Sequence, residues 1–296
     1  MKALYLQCGT SRQAHHQAME RLGRQLDKEQ ACVGLMEQTR QIHPGMGLRA
    51  MYELVRPAGM GRDAFVALGL REGFRLKALE KYTRTTHRHP SSRYANLLGG
   101  HTFTDVNQVW SSDITYLYCL GRFYYLALIM DVYSRRIVGY SLADHMRAEN
   151  NLAALSMALT LRGRGHYGQG LIHHSDRGGQ YVSDLYTDTL DSYGVRISMC
   201  REVYENAHIE RVNETVKNQY LNRMVISSEK ELRQKVDQVM AAYNTKRPHR
   251  SLQGMTPAGY EAHLAGVPMQ QRVPMKIYTT HNADPTDPNQ LKLMFT

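Results

Sequence analysis

The order of apolar segments after residue 105 constrains the fold of this chain more than any other feature. Three strand-like stretches follow one another, "QVWSSDITYLY", "RFYYLALIMDVYS" and "RRIVGYSLA", rich in β-branched and aromatic residues. A helical pattern, a strand, a helix, another strand and a long helix come next. This order predicts an α/β domain in which a mixed sheet is flanked by helices.

Residues 1–93 have a different pattern, which is helical and broken by glycine-containing turns. "LYLQCGTSRQAHHQAMERL" predicts a helix, a turn and a second helix capped by Thr10 or Ser11. A second unit follows in "GLRAMYELV", "RPAGMG" and "RDAFVALGL". Helix-turn-helix modules present the first turns of a helix to DNA, so Arg12 and Gln13 are expected DNA contacts. A helical hairpin that only packs is the alternative.

The chain is strongly basic. It has 37 Lys and Arg against 27 Asp and Glu, which gives a formal net charge of +10 and a pI near 9.4. Such an excess favours a polyanionic partner. Nucleic acid is favoured over an anionic membrane, because no strongly amphipathic basic helix stands out and no apolar run is long enough to span a bilayer.

A basic stretch, "REGFRLKALEKYTRTTHRHPSSRYANLL", connects the helical region to the strands. It is interpreted either as a solvated linker or as a tether along DNA phosphates, where counterion release would strengthen binding. Arg84 and Arg88 are the DNA contacts expected here. We therefore predict three regions: 1–93, helical and DNA-binding with this linker; 94–226, the α/β core; and 227–296, a helix, a basic turn and a loosely ordered tail.

The cysteines and the start of the chain bear on the compartment. Cys8, Cys32, Cys119 and Cys200 are widely scattered and form no C-x-x-C pair. A structural zinc site is therefore not expected, and free thiols in a reducing cytoplasm fit this spacing better. The N-terminal residues contain neither a continuous apolar segment nor a small-residue cleavage site, so export is not expected.

Three acidic residues lie where carboxylates contribute little to a core. Asp113 falls inside the first strand, Asp176 ends the fourth, in "LIHHSDRGGQY", and Glu210 lies on the long helix "ENAHIERVNETVKNQYL". This element order can bring strands one and four side by side, and a helix across that edge would add Glu210. Such oxygen ligands suit Mg²⁺. Two ions roughly 4 Å apart would activate a nucleophile and stabilise the leaving oxygen of a phosphodiester.

Each of these carboxylates also has an ordinary structural explanation. Asp113 could cap a turn, Asp176 could form an Asx-turn before the two glycines, and Glu210 could be a solvated residue on its helix. Asp131, at the end of the second strand, is a rival metal contact. Its alternative role is to support one of the two arginines in "MDVYSRR".

Six motifs occur in register along the chain. They are "NLLGGHTFTDVNQVW", "VWSSDITYL", "MDVYSRRIVGYS", "HHSDRGGQY", "ENAHIERVNETVK" and "YNTKRPHRSLQGMTPAGY". Together they closely resemble the integrase-like core of bacterial insertion-sequence transposases, specifically the insertion sequence 3 family. The likeness covers roughly residues 85–260, and a looser one extends to the N-terminal helical units. It implies a ribonuclease H-like fold and a catalytic triad that falls on Asp113, Asp176 and Glu210, with two Mg²⁺ or Mn²⁺ ions per active site.

The resemblance also implies roles for basic and amide side chains. Lys217 matches a basic residue near the active site that contacts DNA; a solvent-exposed pair with Asn213 or Glu214 is the alternative. Asn206 is implied to support the loop before the helix. In "RPHRSL", Arg247 and Arg250 are expected to face phosphate, although the proline between them favours a structural turn.

The chain departs from the family pattern in two places. It has Glu205 where the family usually has aspartate, and 33 residues separate Asp176 from Glu210, two fewer than is usual. Both differences fall in or next to the loop before the helix, so they put in doubt how that loop meets DNA and whether the site is fully active.

The resemblance implies a DNA transposase. It would bind the terminal inverted repeats of its element through residues 1–93, cleave a strand by metal-assisted hydrolysis and join the freed 3′-hydroxyl to target DNA. The implied route is copy-out and paste-in, performed by a homo-oligomer on double-stranded DNA at the bacterial nucleoid. Family members are often frameshift fusions, so an upstream-frame partner is possible. The alternatives are a ribonuclease H-like nuclease without joining activity and a catalytically idle DNA-binding repressor.

Overall fold

The computed structural model describes residues 9–79, 94–99, 101–163, 170–200 and 203–277. Contacts between residues divide the chain into two units, Met1–Leu79 and Glu80–Thr296. Arg84 and Arg88, the predicted first helix and the predicted loose tail all lie outside the described residues. Within the described part, no helix is both long enough and apolar enough to cross a membrane.

Among the residues that the structure describes, the first unit contains three helices, α1 (Arg12–Ile42), α2 (Leu48–Val55) and α3 (Arg62–Arg71). α1 begins after Ser11, whose hydroxyl accepts a hydrogen bond from the Ala14 amide, so Ser11 is the cap. α2 and α3, with the turn between them, confirm the second predicted helical unit. Apolar side chains from all three helices and their turns form a small core, which consists of Cys32, Met36, Met46, Met51, Phe65 and Leu68.

The second unit is built on a five-stranded sheet. Its elements are, in chain order, β1 (Thr102–Phe103), β2 (Val109–Cys119), β3 (Arg122–Asp131), β4 (Ile137–Ala143), α4 (Ala148–Arg162), β5 (Ile172–Ser175), α5 (Asp184–Ser192), β6 (Arg196–Met199), α6 (Ala207–Glu214), α7 (Glu229–Thr245), α8 (Pro257–Leu264) and β7 (Met275–Lys276). The strand order is β4-β3-β2-β5-β6, while β1 and β7 form a separate pair. β3 is antiparallel to β2 and β4, whereas β5 is parallel to β2 and β6.

This architecture is the ribonuclease H-like α/β fold that the sequence predicts. The first and fourth predicted strands, β2 and β5, are neighbours as expected. The carboxyl end of β5 lies beside the middle of β2, because Ser175 pairs with Ser112. The edge of the sheet at this end of β5 carries the two aspartates of the candidate site, Asp113 within β2 and Asp176 directly after β5.

The two faces of the sheet bury separate cores, because side chains alternate along each strand. On β3, Leu126 and Leu128 belong to one core, and Ala127 and Ile129 to the other. Helices α6 and α7 cover the first core, and α4 and α5 cover the second. Burial on both faces explains the continuous apolar run of β3 in the sequence. It also places α6, the helix of Glu210, against β2.

Gly139 on β4 allows the sheet and α4 to approach closely. A Cβ at this position would lie 2.1 Å from the backbone oxygen of Ala154 and 3.0 Å from the Cβ of Ala158. We expect Gly139→Ala to lower the free energy of unfolding of this unit by about 2–3 kcal/mol, because the backbone of α4 would have to shift.

The measurement is urea unfolding followed by the fluorescence of Trp110, the only tryptophan of the chain and fully buried in this unit. Gly179→Ala is the matched control, because a Cβ there meets no atom within 4 Å, and it should change stability by less than about 0.5 kcal/mol. Equal effects of the two changes would contradict the packing argument.

Candidate active site

Asp113 lies on β2, and Asp176 directly follows the neighbouring parallel strand β5 at the same level. Ser112 of β2 pairs with Ser175 of β5, and the two aspartates are the next residues of these chains. Adjacent strands are about 4.8 Å apart, so the two carboxylates extend from adjoining backbone positions. The fourth strand ends one residue earlier than predicted, at Ser175.

A tight turn follows Asp176. The amide of Gly178 donates a 3.0 Å hydrogen bond to Oδ1 of Asp176, which is the Asx-turn foreseen as its structural explanation. The structural and functional interpretations are therefore compatible, because the turn fixes the carboxylate at the edge while it remains partly accessible.

Helix α6 brings Glu210 and Asn213 to this edge. Asn213 Nδ2 donates a 2.8 Å hydrogen bond to Oδ2 of Asp113. Glu210 precedes Asn213 by three residues, so both side chains project from the same side of the helix. Glu210 is exposed, while Asn213 is buried. The bond between Asn213 and Asp113 holds the helix over the strand.

Asn213 is a site residue that the sequence analysis considered only as a partner of Lys217. Its three-residue spacing from Glu210 was visible in the sequence and could have marked it as facing the same carboxylates. Which strand residue it contacts depends on the packing of α6 against β2.

The electrostatics show that the three carboxylates affect one another. The pKa of Asp113 is raised to about 7, first by burial, then by the negative charge of Asp176 and least by that of Glu210. Hydrogen bonds from the Ile114 amide and from Asn213 oppose this rise. A carboxylate in this position is destabilised by its like-charged neighbours, and a bound cation would relieve that repulsion.

The site has oxygen donors that suit a hard cation, but these donors do not form a complete set of metal ligands. Among the described residues, no three His, Cys, Asp or Glu side chains are arranged as a ready metal site. The oxygen donors and the raised pKa of Asp113 nevertheless fit a divalent ion, because an ion would supply the positive charge that this edge lacks. Asp113, Asp176 and Glu210 are the residues that could hold it.

Asp131 does not contribute to this site. It is completely buried, and its carboxylate accepts hydrogen bonds from the amides of Asn107, Tyr133 and Ser134. Its nearest cationic partner is Arg162, at 3.9 Å, rather than either arginine of its own turn. The turn geometry explains this carboxylate without a metal.

Asn206 links the start of α6 to β2 beside the aspartates. The Ser111 hydroxyl donates to its Oδ1, and its Nδ2 donates a 3.2 Å hydrogen bond to the carbonyl oxygen of Ser112. Asn206 is buried, so these bonds are shielded from water. They hold the end of the loop against the residue that precedes Asp113.

We expect Asn206→Ala to lower the free energy of unfolding by about 1–3 kcal/mol, because it leaves buried groups on β2 without partners. Asn222→Ala removes an exposed amide bonded to Asn218 and should cost less than about 0.5 kcal/mol. Urea unfolding with Trp110 as the probe distinguishes them. If both variants unfolded at the same urea concentration, the buried bonds of Asn206 would have no special role.

Lys217 lies in a π-helical stretch, Thr215–Tyr220, that continues α6. Its ammonium is 4.3 Å from the ring centroid of Tyr116 on β2, which is a cation–π contact. Burial lowers the pKa of Lys217. Tyr116, rather than the Asn213 or Glu214 named as the alternative, is therefore the contact that holds Lys217, on the strand that also carries Asp113.

The other predicted DNA contacts lie on two elements. Arg12 and Gln13 are exposed in the first turn of α1. Arg247 and Arg250 follow α7; Arg247 donates a 2.8 Å hydrogen bond to Gln219, and Arg250 is exposed. Their contact with DNA stays a prediction.

Comparison with known proteins gives the family. Two models of the integrase core domain match residues 104–204 and 193–257. Transposase InsF for insertion sequence IS3A from Escherichia coli (strain K12) is 33% identical over 196 residues, which are 64% of this chain and 67% of the relative. An uncharacterized 31 kDa protein of insertion element IS600 from Shigella sonnei is 34% identical over 206 residues, 68% of this chain and 75% of the relative. This chain belongs to the insertion sequence 3 family of transposases.

Two solved structures also match this transposase in part. The HTLV-2 integrase catalytic core domain in complex with magnesium (trimeric form) aligns with 52% of the transposase and 96% of that chain, at 19% identity and a TM-score of 0.43. The simian T-cell lymphotropic virus intasome in complex with PP2A regulatory subunit B56 gamma aligns with 83% of the transposase and 80% of that chain, at 14% identity and a TM-score of 0.47. The assignment to the family rests on the sequence relatives and the integrase core models.

Proposed function

We propose that this transposase cleaves a strand at the ends of its element and joins the freed 3′-hydroxyl to target DNA, with Asp113, Asp176 and Glu210 as its catalytic residues. The observation that carries the proposal is the position of Asp113 on β2 beside Asp176, which directly follows the paired parallel strand β5, with a pKa of Asp113 raised by burial and then by Asp176 and Glu210. Such repulsion contributes nothing to folding, and it suits a site that binds cations and phosphate.

The three carboxylates would hold two Mg²⁺ or Mn²⁺ ions. Ions bound there supply charge that activates the attacking oxygen and stabilises the leaving oxygen of a phosphodiester. The protein groups around them set the geometry. Asn213 orients the carboxylate of Asp113 through its hydrogen bond, and the Asx-turn orients that of Asp176.

DNA would be held by basic side chains outside the triad. Lys217, fixed against Tyr116, would contact the DNA near the reacting phosphate. Arg12 and Gln13 would read the terminal inverted repeats, while the linker arginines Arg84 and Arg88 and the turn arginines Arg247 and Arg250 would contact phosphates. Two ends must be held together for joining, so the active form is a homo-oligomer on DNA that follows the copy-out and paste-in route, alone or as part of an upstream-frame fusion.

A strand-transfer assay with the end sequence of the element tests this function. Wild-type protein should cut and join, whereas Asp113→Asn and Glu210→Gln should bind the DNA without either reaction. Glu214→Gln is the control, because Glu214 is exposed on the same helix and the change removes the same charge. Cutting without joining by the wild type would indicate a nuclease, and binding alone would indicate a repressor.

A further inference from the structure

A cleft of about 630 Å³ lies between α6 and the turn that follows α7. It is lined by His208, Arg211 and Val212 of α6 and by Thr215, the first residue of the π-helical stretch that continues it, a spacing that marks one face of the helix. Successive residues of an α-helix are about 100° apart, so Glu210 projects from the opposite face. The cleft is therefore separate from the three carboxylates.

The lining of this cleft is cationic. None of its lining residues is acidic, and its charged members are the four arginines Arg135, Arg211, Arg247 and Arg250. Its two histidines, His208 and His249, are neutral near pH 7, because burial and then the neighbouring arginines lower the pKa of each. Arginines of this unit that only stabilise the fold have acidic partners: Glu261 pairs with both Arg136 and Arg162. Arg135 directly precedes Arg136 in the chain, yet it faces the cleft. The positive charge of these arginines is therefore available to a negatively charged ligand.

Three side-chain nitrogens of this cleft are buried without a hydrogen-bond partner in the part of the chain that the structure describes. Within the described residues, Nη1 of Arg135, Nη1 of Arg247 and Nε2 of His249 have no hydrogen-bond partner. Burial, followed by the charges of Arg247 and Arg135, lowers the pKa of His249 to about 4. Buried donors without acceptors are unfavourable, and so are like charges that face one another. A ligand rich in anionic oxygens would satisfy both requirements.

The backbone of Arg135 is held in an unfavourable conformation. Its φ is +62°, in the left-handed region that residues with a side chain seldom occupy. The preceding turn is fixed by Asp131, which accepts hydrogen bonds from Tyr133 and Ser134. Strained residues of this kind concentrate at functional sites. Here the strain directs one arginine of the pair into the cleft while the next one pairs with Glu261.

We propose that the cleft binds backbone phosphates of a DNA segment, on the face of α6 opposite to the strand that reacts at the carboxylates. The inference rests on the proposed function, because that function supplies DNA as the polyanion. Four arginines spread along a cleft of this volume exceed what a single phosphate ion can contact. The guanidinium fork matches phosphate oxygens in pairs, and phosphate contacts fix the position of DNA without reading its sequence.

The experiment measures DNA binding by the full chain carrying Asp113→Asn, in chelator, so that no reaction takes place. Arg211→Gln with Arg250→Gln is the cleft variant, because both side chains are exposed and the fold does not depend on them. Arg196→Gln with Lys230→Gln is the control, because it removes two exposed positive charges outside the cleft. Affinity for a DNA duplex is measured against salt concentration.

Relative to the control, we expect the cleft variant to bind DNA about 10-fold more weakly. The slope of log affinity against log salt concentration should be shallower by about 1–2. Equal slopes for the two variants would overturn the proposal, and with it the phosphate contact proposed for Arg250, but would leave the proposed cutting and joining at the carboxylates intact. If the Asp113→Asn chain bound no DNA at all, the proposed function would fail with it. A second measurement, of stability in inorganic phosphate, separates DNA from free phosphate as the ligand. If phosphate stabilised the control but not the cleft variant, and the salt slopes of DNA binding were equal, the cleft would be assigned to free phosphate instead of DNA.

Discussion

Asp113→Asn is expected to abolish cleavage and joining while it makes the metal-free protein more stable at pH 8. The pKa of Asp113 is raised from 3.8 to about 7 in the folded protein, first by burial and then by Asp176. Above pH 7 the folded chain therefore carries a charge that the unfolded chain solvates better. Asparagine avoids that charge and can still accept the hydrogen bond from Asn213.

The raised pKa of Asp113 also determines how the stability of the fold changes with pH. Because the folded pKa lies above the unfolded one, the folded state of the wild type loses stability as pH rises from about 4 to about 7, on the order of 2–4 kcal/mol. The asparagine variant lacks this loss, so the difference between the two proteins should be small at pH 4 and largest above pH 7. The activity should fall because Asp113→Asn removes a ligand of the ions. If that ligand stabilises the transition state by several kcal/mol, the rate of cleavage and joining falls by about 10³-fold or more.

Urea unfolding in chelator at several pH values, with Trp110 as the probe, measures the stability, and the strand-transfer assay measures the activity. Asp188→Asn is the control, because Asp188 is exposed on α5 and should change neither quantity. If Asp113→Asn and the wild type had equal stability at pH 8, the repulsion among the carboxylates would not exist as described. Retained joining activity would remove Asp113 from the catalytic residues.

Glu261→Gln is expected to lower the free energy of unfolding by about 3–5 kcal/mol. Glu261, on α8, accepts hydrogen bonds at 2.6 Å from Arg136 and 2.9 Å from Arg162, and a third at 2.6 Å from the Ser134 hydroxyl. The side chains of Glu261 and Arg162 are only 11% and 10% exposed. Removing the charge of Glu261 leaves two arginines in a shielded position with only the carboxylate of Asp131 nearby.

The dependence on pH separates this effect from simple packing. Burial alone would raise the pKa of Glu261, but hydrogen bonds and charge from Arg162, Ser134 and Arg136 hold it below 4.5. A lowered pKa stabilises the fold above the unfolded value and ceases to do so as pH falls through the folded value. The difference between wild type and Glu261→Gln should therefore be full near pH 7 and shrink below about pH 4.

Glu229→Gln is the matched control for this network. Glu229 pairs with Arg233, and the two side chains are 39% and 50% exposed, so water screens this pair and the change should cost much less than Glu261→Gln. Urea unfolding at pH 7 and pH 4 compares the two variants. Equal costs, or a cost of Glu261→Gln that did not change with pH, would show that the buried ion network does not hold α8 to the sheet.

Local patterns in the sequence were sufficient for the strands of the main sheet and the helices around it, but they predicted neither α8 nor the pair of β1 and β7. Alternation and β-branched content located β2, β3 and β4, and helical spacing located the helices that follow. Both kinds of pattern depend only on the direction of neighbouring side chains, so a single chain displays them without knowledge of its fold. An acidic residue inside an apolar strand marked Asp113, and one at the end of a strand marked Asp176, for the same reason.

Some assignments needed the packed structure. Asp131 and Asp176 both end apolar strands in the sequence, yet one is buried within its turn and the other lies beside Asp113. The contact of Asn213 with Asp113 depends on how α6 is rotated over β2. Two neighbouring arginines, Arg135 and Arg136, are equivalent in sequence and face different surroundings because the first has a positive φ.

The sequence by itself determined the order of the elements, the positions of the acidic residues along them and the family, because these are properties of short segments and of motifs in register. The tertiary structure alone decided which strands are paired, which face of α6 meets the carboxylates and that four arginines from three separate parts of the chain line one cleft. Those features arise from contacts between residues far apart in the chain, and the packing of apolar faces that brings them together leaves no local pattern to read.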